Sequence, residues 1–386
     1  MVHRLGLGFE PRKQMSIPRP QLRALTGLRF FAAVHVVVFH FSQRRFSGWA
    51  ANIVSAGYIG VSLFFVLSGF ILAYTYAGSQ DVEPIDRRSF WVARFARVYP
   101  LYGFALLATL PFFIREVPDD GFLLACMLST VVLGHAWFPQ YAEQWNGPGW
   151  SLSVEALFYA AFPFLVPGLR RLRKELFFPS MFGLAVLALA APFLYLQLKP
   201  DGQSVITSND HFYWLSVLKY NPLMHLPEFL MGALCGVRFL DSAADPRDSR
   251  WSVVSTLASV AILAALAASP QLPFPYLHNG LMAPLFCLLI FSLAHDRGPI
   301  AAILGTRLLL LLGEASYALY LLHVPIERWL HRFWPAGPSD VWFPVAYGVA
   351  VIVLPVVVLI VVENPSRRVL RSWLNRGMRL KAVSAP

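Results

Sequence analysis

The sequence predicts an all-α protein: a polytopic transmembrane helical bundle of about ten membrane-spanning helices, with one candidate re-entrant segment and both termini cytoplasmic. Composition is the first reason. The 386 residues are 57% hydrophobic and 14% charged, with a mean hydropathy of +0.55, which excludes an ordinary soluble domain of this size. The second is length: apolar runs of about 17 to 22 residues, enough to cross roughly 30 Å of hydrocarbon as helix, recur from Ala24 to Val362. The third is the placement of Lys and Arg, which collect in alternate connections. No hydrophilic stretch is long enough for a separate soluble domain. The expected organisation is a basic cytoplasmic tail over 1–22, a membrane domain over 23–368 and a second basic cytoplasmic tail over 369–386.

The opening segment MVHRLGLGFEPRKQMSIPRP carries charges but no apolar core followed by a small-residue cleavage site. It reads as a cytosolic tail, so the first membrane helix directs insertion. Eleven apolar stretches follow, at about 23–42, 57–76, 98–114, 121–138, 150–168, 176–197, 213–237, 251–268, 278–295, 308–327 and 341–362. Eleven crossings would separate the ends, yet both ends are basic, so one stretch should not cross. The candidate is 121–138 (GFLLACMLSTVVLGHAWF), whose Ser129, Thr130, Gly134 and His135 suit a re-entrant segment buried among other helices. With ten crossings, the tails and the loops 77–97, 169–175, 238–250 and 296–307 face the cytoplasm and hold 24 of the 32 Lys and Arg. Arg44, Arg45, Arg115, Lys199, Lys219, Arg328 and Arg332 lie outside, and Arg29 lies in the first helix. Basic inner loops beside anionic lipid account for much of the net charge of +11 without a nucleic-acid partner. Cys126, Cys235 and Cys287 sit inside apolar runs as small hydrophobes and point to neither a disulfide framework nor a zinc site.

Charged groups inside apolar helices cost roughly 2.5 to 3.5 kcal/mol each, so those that persist are functional candidates. In RFFAAVHVVVFH, Arg29 and His40 are separated by almost whole turns, which puts both on one face about 16 Å apart along the axis. Arg29 falls toward the cytoplasm and His40 toward the far side; hydrogen-bonded packing is the bland alternative for His40. His35, about 140° round the helix from His40, reads as a packing residue. In RFARVYP, Arg94 and Arg97 stand at the cytoplasmic start of the third helix, where two guanidiniums either fork around phosphate oxygens or mark the headgroup level. In WSLSVEALFY, Ser151, Glu155 and Tyr159 share a face, and Glu155 needs a partner or a proton there. Pairing with an arginine is its structural alternative. In LGEASYALYLLHVPIE, Ser316, Tyr320 and His323 share a face, with His323 nearer the outside. Glu228 and Glu363 read as mainly structural.

No nucleotide-binding loop, serine-hydrolase elbow or zinc-protease motif occurs. Two functions fit what is left. One is a proton-coupled membrane transporter with the His and Glu residues as a relay. The other is a transferase that moves a group from a phosphate-bearing cytoplasmic donor to an acceptor across the membrane.

In their order and spacing, LRALTGLRFFAAVHVVVFHF, GVSLFFVLSGFIL, RRSFWVARFARVYPLY, WSLSVEALFYAAFP, LGEASYALYLLHVPI and ENPSRR resemble the motifs of the membrane-bound acyltransferase 3 family. That family includes bacterial O-acetylases of lipopolysaccharide O-antigen, exopolysaccharide and Nod factor, and macrolide acyltransferases. The resemblance covers about Leu22 to Arg368. It implies a ten-helix core with cytoplasmic termini in the cytoplasmic (inner) membrane, and esterification of a hydroxyl on a carbohydrate or glycoside acceptor. It also implies acyl-CoA, commonly acetyl-CoA, as a co-substrate, with no bound cofactor and no metal.

The resemblance further implies that Arg29 and His40 are the paired residues of the first helix and that Arg94 and Arg97 bind acyl-CoA. The tryptophan-serine-leucine-x-x-glutamate motif falls on Trp150, Ser151, Leu152 and Glu155, and the late tyrosine-histidine motif on Tyr317, Tyr320 and His323. On this reading His40, Arg29 and Glu155 are catalytic. Trp150, Ser151, Tyr317, Tyr320 and His323 serve the acceptor or support the site. His40 is the expected general base, with a covalent acyl-histidine as the second route. Arg29 stabilises the thioester oxyanion or a CoA phosphate, and Glu155 orients His40 or an acceptor hydroxyl. The C-terminal periplasmic SGNH-type domain of some relatives is not expected, which would make this a single-domain member.

Overall fold

The computed structural model describes residues 19–42, 46–78, 85–117, 120–242, 249–295, 298–334, 340–370 and 372. Most of both basic tails, and Arg44 and Arg45 of the expected outer face, lie outside the described residues. Among the described residues all regular structure is helical. α1 (Arg23–Ser42) leads through the short α2 (Gly48–Ser55) to α3 (Ile59–Tyr76) and the 30-residue α4 (Arg87–Glu116). Then come α5 (Asp120–Val131), α6 (Trp150–Arg171), α7 (Phe177–Leu198), α8 (Tyr213–Tyr220), α9 (Pro222–Leu240) and α10 (Arg250–Ala267). α11 (Phe274–His278), α12 (Ala283–Ala294), α13 (Gly298–Leu304), α14 (Arg307–Glu314), α15 (Ser316–Phe333) and α16 (Phe343–Val358) follow, and α16 continues through a π-helical turn at Leu359–Glu363.

Among the described residues nine helical segments are long and apolar enough to cross a membrane, and ten if α14 and α15, bent by 59°, are one broken span. The sequence expectation of one continuous stretch at 308–327 therefore needs correction. The chain breaks at Ala315, where Ser316 Oγ donates to the Gly313 carbonyl at 2.7 Å. Gly313 is required there because a Cβ would overlap the Thr26 carbonyl of α1. At twelve residues, about 18 Å, α5 is too short to cross. The chain then turns back through Leu133, at φ 59°, and a 3-10 turn at His135–Trp137, with Ser153 Oγ donating to the Leu133 carbonyl at 2.6 Å.

Local chemistry sets the other ends. Asp86 caps α4, its Oδ1 accepting from the Arg88 and Ser89 amides at 3.1 and 3.4 Å. Asn221 caps α9 by accepting from the Leu223 amide at 3.1 Å, with Pro222 at the first helical position. Prolines inside the helices free a carbonyl one turn back, and other side chains take it up. Pro325 releases the Leu321 carbonyl, to which Asn146 Nδ2 donates at 3.2 Å. Pro163 releases that of Tyr159, to which Trp91 Nε1 donates at 2.9 Å.

α3 runs against α9 at the centre of the bundle. A Cβ on Gly232 would overlap the Val66 carbonyl, so the two backbones meet through a small residue, as membrane helices commonly do. Phe65, Phe70, Phe158 and Phe229 are buried around that seam. Leu107, Leu124, Phe178 and Leu257 are exposed on the periphery, the surface a lipid-facing bundle requires.

Candidate active site

Two cavities open from opposite ends of α1, as the spacing of Arg29 and His40 requires. The inner one, of about 110 Å³, is lined by Arg29 of α1, Arg94 and Arg97 of α4, Glu155 and Tyr159 of α6, and Ser316, Tyr317 and Tyr320 of α15. α4 reaches about 45 Å, which leaves its first turns beyond a 30 Å hydrocarbon core and sets Arg94 and Arg97 near headgroup level. Arg94 donates to the Tyr76 hydroxyl at 3.1 Å, and the buried Arg94 Nε has no partner. Glu155 accepts from the Tyr159 hydroxyl at 2.5 Å. The charges of Arg29, Arg94 and Arg97 all bear on it. Three guanidiniums around one carboxylate leave this narrow cavity cationic.

The outer cavity, of about 790 Å³, is lined by His40, by Glu143 and Trp150 near the start of α6, by Lys219 and Tyr220 of α8, by His278 of α11 and by Tyr320. The His40 ring is exposed to it and stands 5.1 Å from the ring of the fully buried His323. Glu143 meets His211 at 3.3 Å. Lys219 Nζ donates to the carbonyls of Ser208 and Asp210 at 3.1 and 3.2 Å, tying the 199–212 loop over the cavity. Burial pushes the Glu143 carboxyl up, but His211, Lys219 and Tyr220 more than offset this and hold it below its ordinary value. Its charge acts on His40 across the cavity. In the 3-10 turn after α5, burial lowers His135 to about 4, so that imidazole is neutral near pH 7.

Val61 and Tyr320 line both cavities. The Tyr320 hydroxyl donates to the Pro148 carbonyl at 3.1 Å, and Ser151 Oγ donates to the same oxygen at 3.0 Å. That shared acceptor fastens the start of α6 to α15 where the cavities adjoin. Tyr317 donates to the Val98 carbonyl at 2.8 Å and thereby binds α15 to α4.

The structure thus gathers Arg29, Arg94, Arg97, Glu155, Ser151, Tyr317 and Tyr320 in the inner cavity, and His40, Trp150 and Tyr320 in the outer one, with His323 behind His40. It does not bring Glu155 to His40, which leaves the acceptor hydroxyl as the other role expected for that carboxylate. Glu155 lies about one turn into α6, at the level of Arg29, so its company is the arginines. His35 Nε2 is 2.7 Å from the Ile53 carbonyl and lines neither cavity. Glu228 accepts from Ser62 Oγ at 2.6 Å and meets His225 Nδ1 at 3.0 Å, also away from both. Glu363 pairs with Arg367. Sequence reasoning missed Glu143, His211 and His278. Glu143 and His211 lie in polar loops, which give no signal, whereas His278 at the start of an apolar stretch and Lys219 inside one do.

The family described as "Acyltransferase domain" matches residues 22–362. The chain is similar to acyltransferase MdmB of Streptomyces mycarofaciens, 28% identical over 95% of both chains. It is also similar to O-acetyltransferase OatA of Staphylococcus aureus (strain NCTC 8325 / PS 47), 24% identical over 86% of this chain and 55% of that one. A third relative is the putative peptidoglycan O-acetyltransferase YrhL of Bacillus subtilis (strain 168), 27% identical over 78% of this chain and 48% of the other. The chain spans about half the length of the last two. No solved structure matches it.

Proposed function

The chain belongs to the acyltransferase-domain family, and on that premise we propose that it moves an acyl group, in the simplest case acetyl, from cytoplasmic acyl-CoA to a hydroxyl of a glycan or glycoside. The observation that carries this reading is the pair of adjoining cavities, one narrow and arginine-lined, the other wide with an exposed histidine and aromatic walls. An anionic donor suits the first and a polyhydroxyl acceptor the second. Two of the similar proteins are O-acetyltransferases by name, which supports an oxygen nucleophile.

The thioester is already activated, so the protein's work is alignment and proton removal. The acceptor oxygen attacks the thioester carbonyl carbon, the C–O bond forms and the C–S bond breaks. The hydroxyl proton goes to a ring nitrogen of His40, and the departing thiolate is protonated on release. The narrow cavity would take the pantetheine arm and leave the nucleotide at the mouth, where Arg94 and Arg97 would meet its phosphates. With about 16 Å between Arg29 and His40 along α1, Arg29 serves the donor's arm and anionic end, while the chemistry takes place beside His40 and Tyr320. Glu155 holds the arginines apart and in register. The same reading puts both termini in the cytoplasm and the outer cavity on the far face of the inner membrane.

The deciding experiment is mass spectrometry of surface glycans, lipids and secreted metabolites from a deletion strain complemented with wild-type protein or His40→Ala. An increment of one acyl group that returns only with the wild type supports transfer and identifies both chain and acceptor. No acyl difference in any fraction would sink the reading and leave the proton-coupled transporter as the one to pursue.

A further inference from the structure

We propose that His323 is the positioning residue for His40: its Nε2 accepts a hydrogen bond from a His40 ring N–H, fixing the tautomer that leaves the other His40 nitrogen free to act as base. Donors and acceptors set the direction of that bond. His323 Nδ1 lies 2.6 Å from the Tyr320 carbonyl, which only accepts, so the proton of the neutral His323 ring is on Nδ1. Nε2 is then an obligate acceptor. It is buried and has no partner, in a side chain with no exposed surface. Burying an acceptor unmet is costly, and the ring nearest to it that carries a matching donor is His40.

The distance fits. A linear N–H···N bond of about 2.9 Å between two imidazoles, each with its nitrogens about 1.1 Å from the ring centre, spans roughly 5 Å from centroid to centroid. The observed separation is 5.1 Å, with the planes tilted by 37°. Rotation of the exposed His40 ring about its Cβ–Cγ bond closes the contact, and His323 stays fixed. Its ring is held through Tyr320, and its own carbonyl accepts from the Tyr347 hydroxyl at 3.4 Å.

Bases of this kind commonly take their orientation from a third group, often a carboxylate. Glu155 is not available to His40, because it lies in the inner cavity. Glu143 faces His40 from the loop before α6, with His211 and Lys219 beside it, and Arg328 and Tyr58 also line the cavity. His323 presents its ring 5.1 Å from that of His40. An imidazole in the orienting place leaves the pair uncharged at rest and stabilises the His40 imidazolium as the acceptor proton arrives.

The consequence for catalysis rests on the proposed function; the pairing itself does not. The test is 15N NMR of the full-length protein in nanodiscs, labelled at histidine ring nitrogens, with His40→Gln assigning the His40 signals. In the wild type His40 should show one protonated and one bare nitrogen in a single tautomer, with a coupling across the N–H···N bond. His323→Leu should average the two nitrogens, and His323→Gln, whose amide oxygen accepts, should restore the single tautomer. In cells His323→Leu should lower the acyl increment at least tenfold. Identical His40 signals in wild type and His323→Leu, or no trans-hydrogen-bond coupling in the wild type should the leucine variant not fold, would overturn the proposal. A fixed His40 tautomer without acyl transfer in any fraction leaves the pairing standing and removes the acyltransfer reading. Acyl transfer with an averaged tautomer does the reverse.

Discussion

His40 opens to a wide cavity while Arg29, on the same face of the same helix, lines a narrow one, and on the proposed function this assigns base work to the first and anion binding to the second. His40→Gln should lower acyl transfer by about 10² to 10⁴, the usual worth of a positioned base, measured as acyl increment per cell. Wild-type levels in that variant would falsify the base assignment. Arg94→Ala should weaken the apparent affinity for acyl-CoA at least tenfold, since a charge-assisted hydrogen bond contributes about 1.5 to 3 kcal/mol. An unchanged KM for acyl-CoA would remove Arg94 from the donor site. Glu143 tests the outer cavity through pH. Its carboxyl is held below the ordinary value by the cations around it, so it stabilises the fold above the unfolded carboxylate range and that contribution is lost as pH falls through its lowered value. Thermal unfolding of Glu143→Gln in detergent should lack that part of the acid-side decline, and superimposable wild-type and variant profiles would show that Glu143 is not held by its neighbours. Such residues differ in how legible they are. Arg29, His40 and Glu155 stand out because a charge or imidazole in an apolar run is costly and therefore noticed. Glu143, in a loop where acids are ordinary, becomes notable only when folding turns it toward His40.

At the level of elements, helix interruptions build the site. α15 is broken from α14 at Ala315, where Ser316 Oγ donates to the Gly313 carbonyl, and it carries Pro325, whose freed Leu321 carbonyl accepts from Asn146 Nδ2. Asn146→Ala should leave the Leu321 carbonyl unmet at a cost of about 1 to 3 kcal/mol, and lower the unfolding temperature in detergent; an unaltered midpoint would mean that water satisfies the carbonyl. Two basic ends predict an even number of crossings and so one apolar stretch that does not cross, and at twelve residues α5 is the helix in that stretch that falls short of a span. The break at Ala315 was not legible, because apolar runs on both sides read as one stretch; in the fold Gly313 beside it packs against the Thr26 carbonyl, where no Cβ fits.

For the whole molecule, the charge asymmetry predicts an even number of crossings with both ends inside. Cysteines introduced at Lys174 and Ser204, both exposed, should separate. The second should react with an impermeant maleimide on intact cells and the first only after permeabilisation. The three native cysteines are buried and free, so they add little background. Labelling of both from outside would overturn the topology.

Hydropathy and helical pitch are local properties, so the membrane setting, the approximate number of helices and the eleven-residue spacing of Arg29 and His40 could all be read along the chain before any folding. Three other facts arise only when the helices assemble: Glu155 joins the arginines rather than His40, His323 stands behind His40, and Tyr320 borders both cavities. They depend on which helix faces meet across hundreds of residues, and apolar faces in lipid carry no periodic signal of their partners.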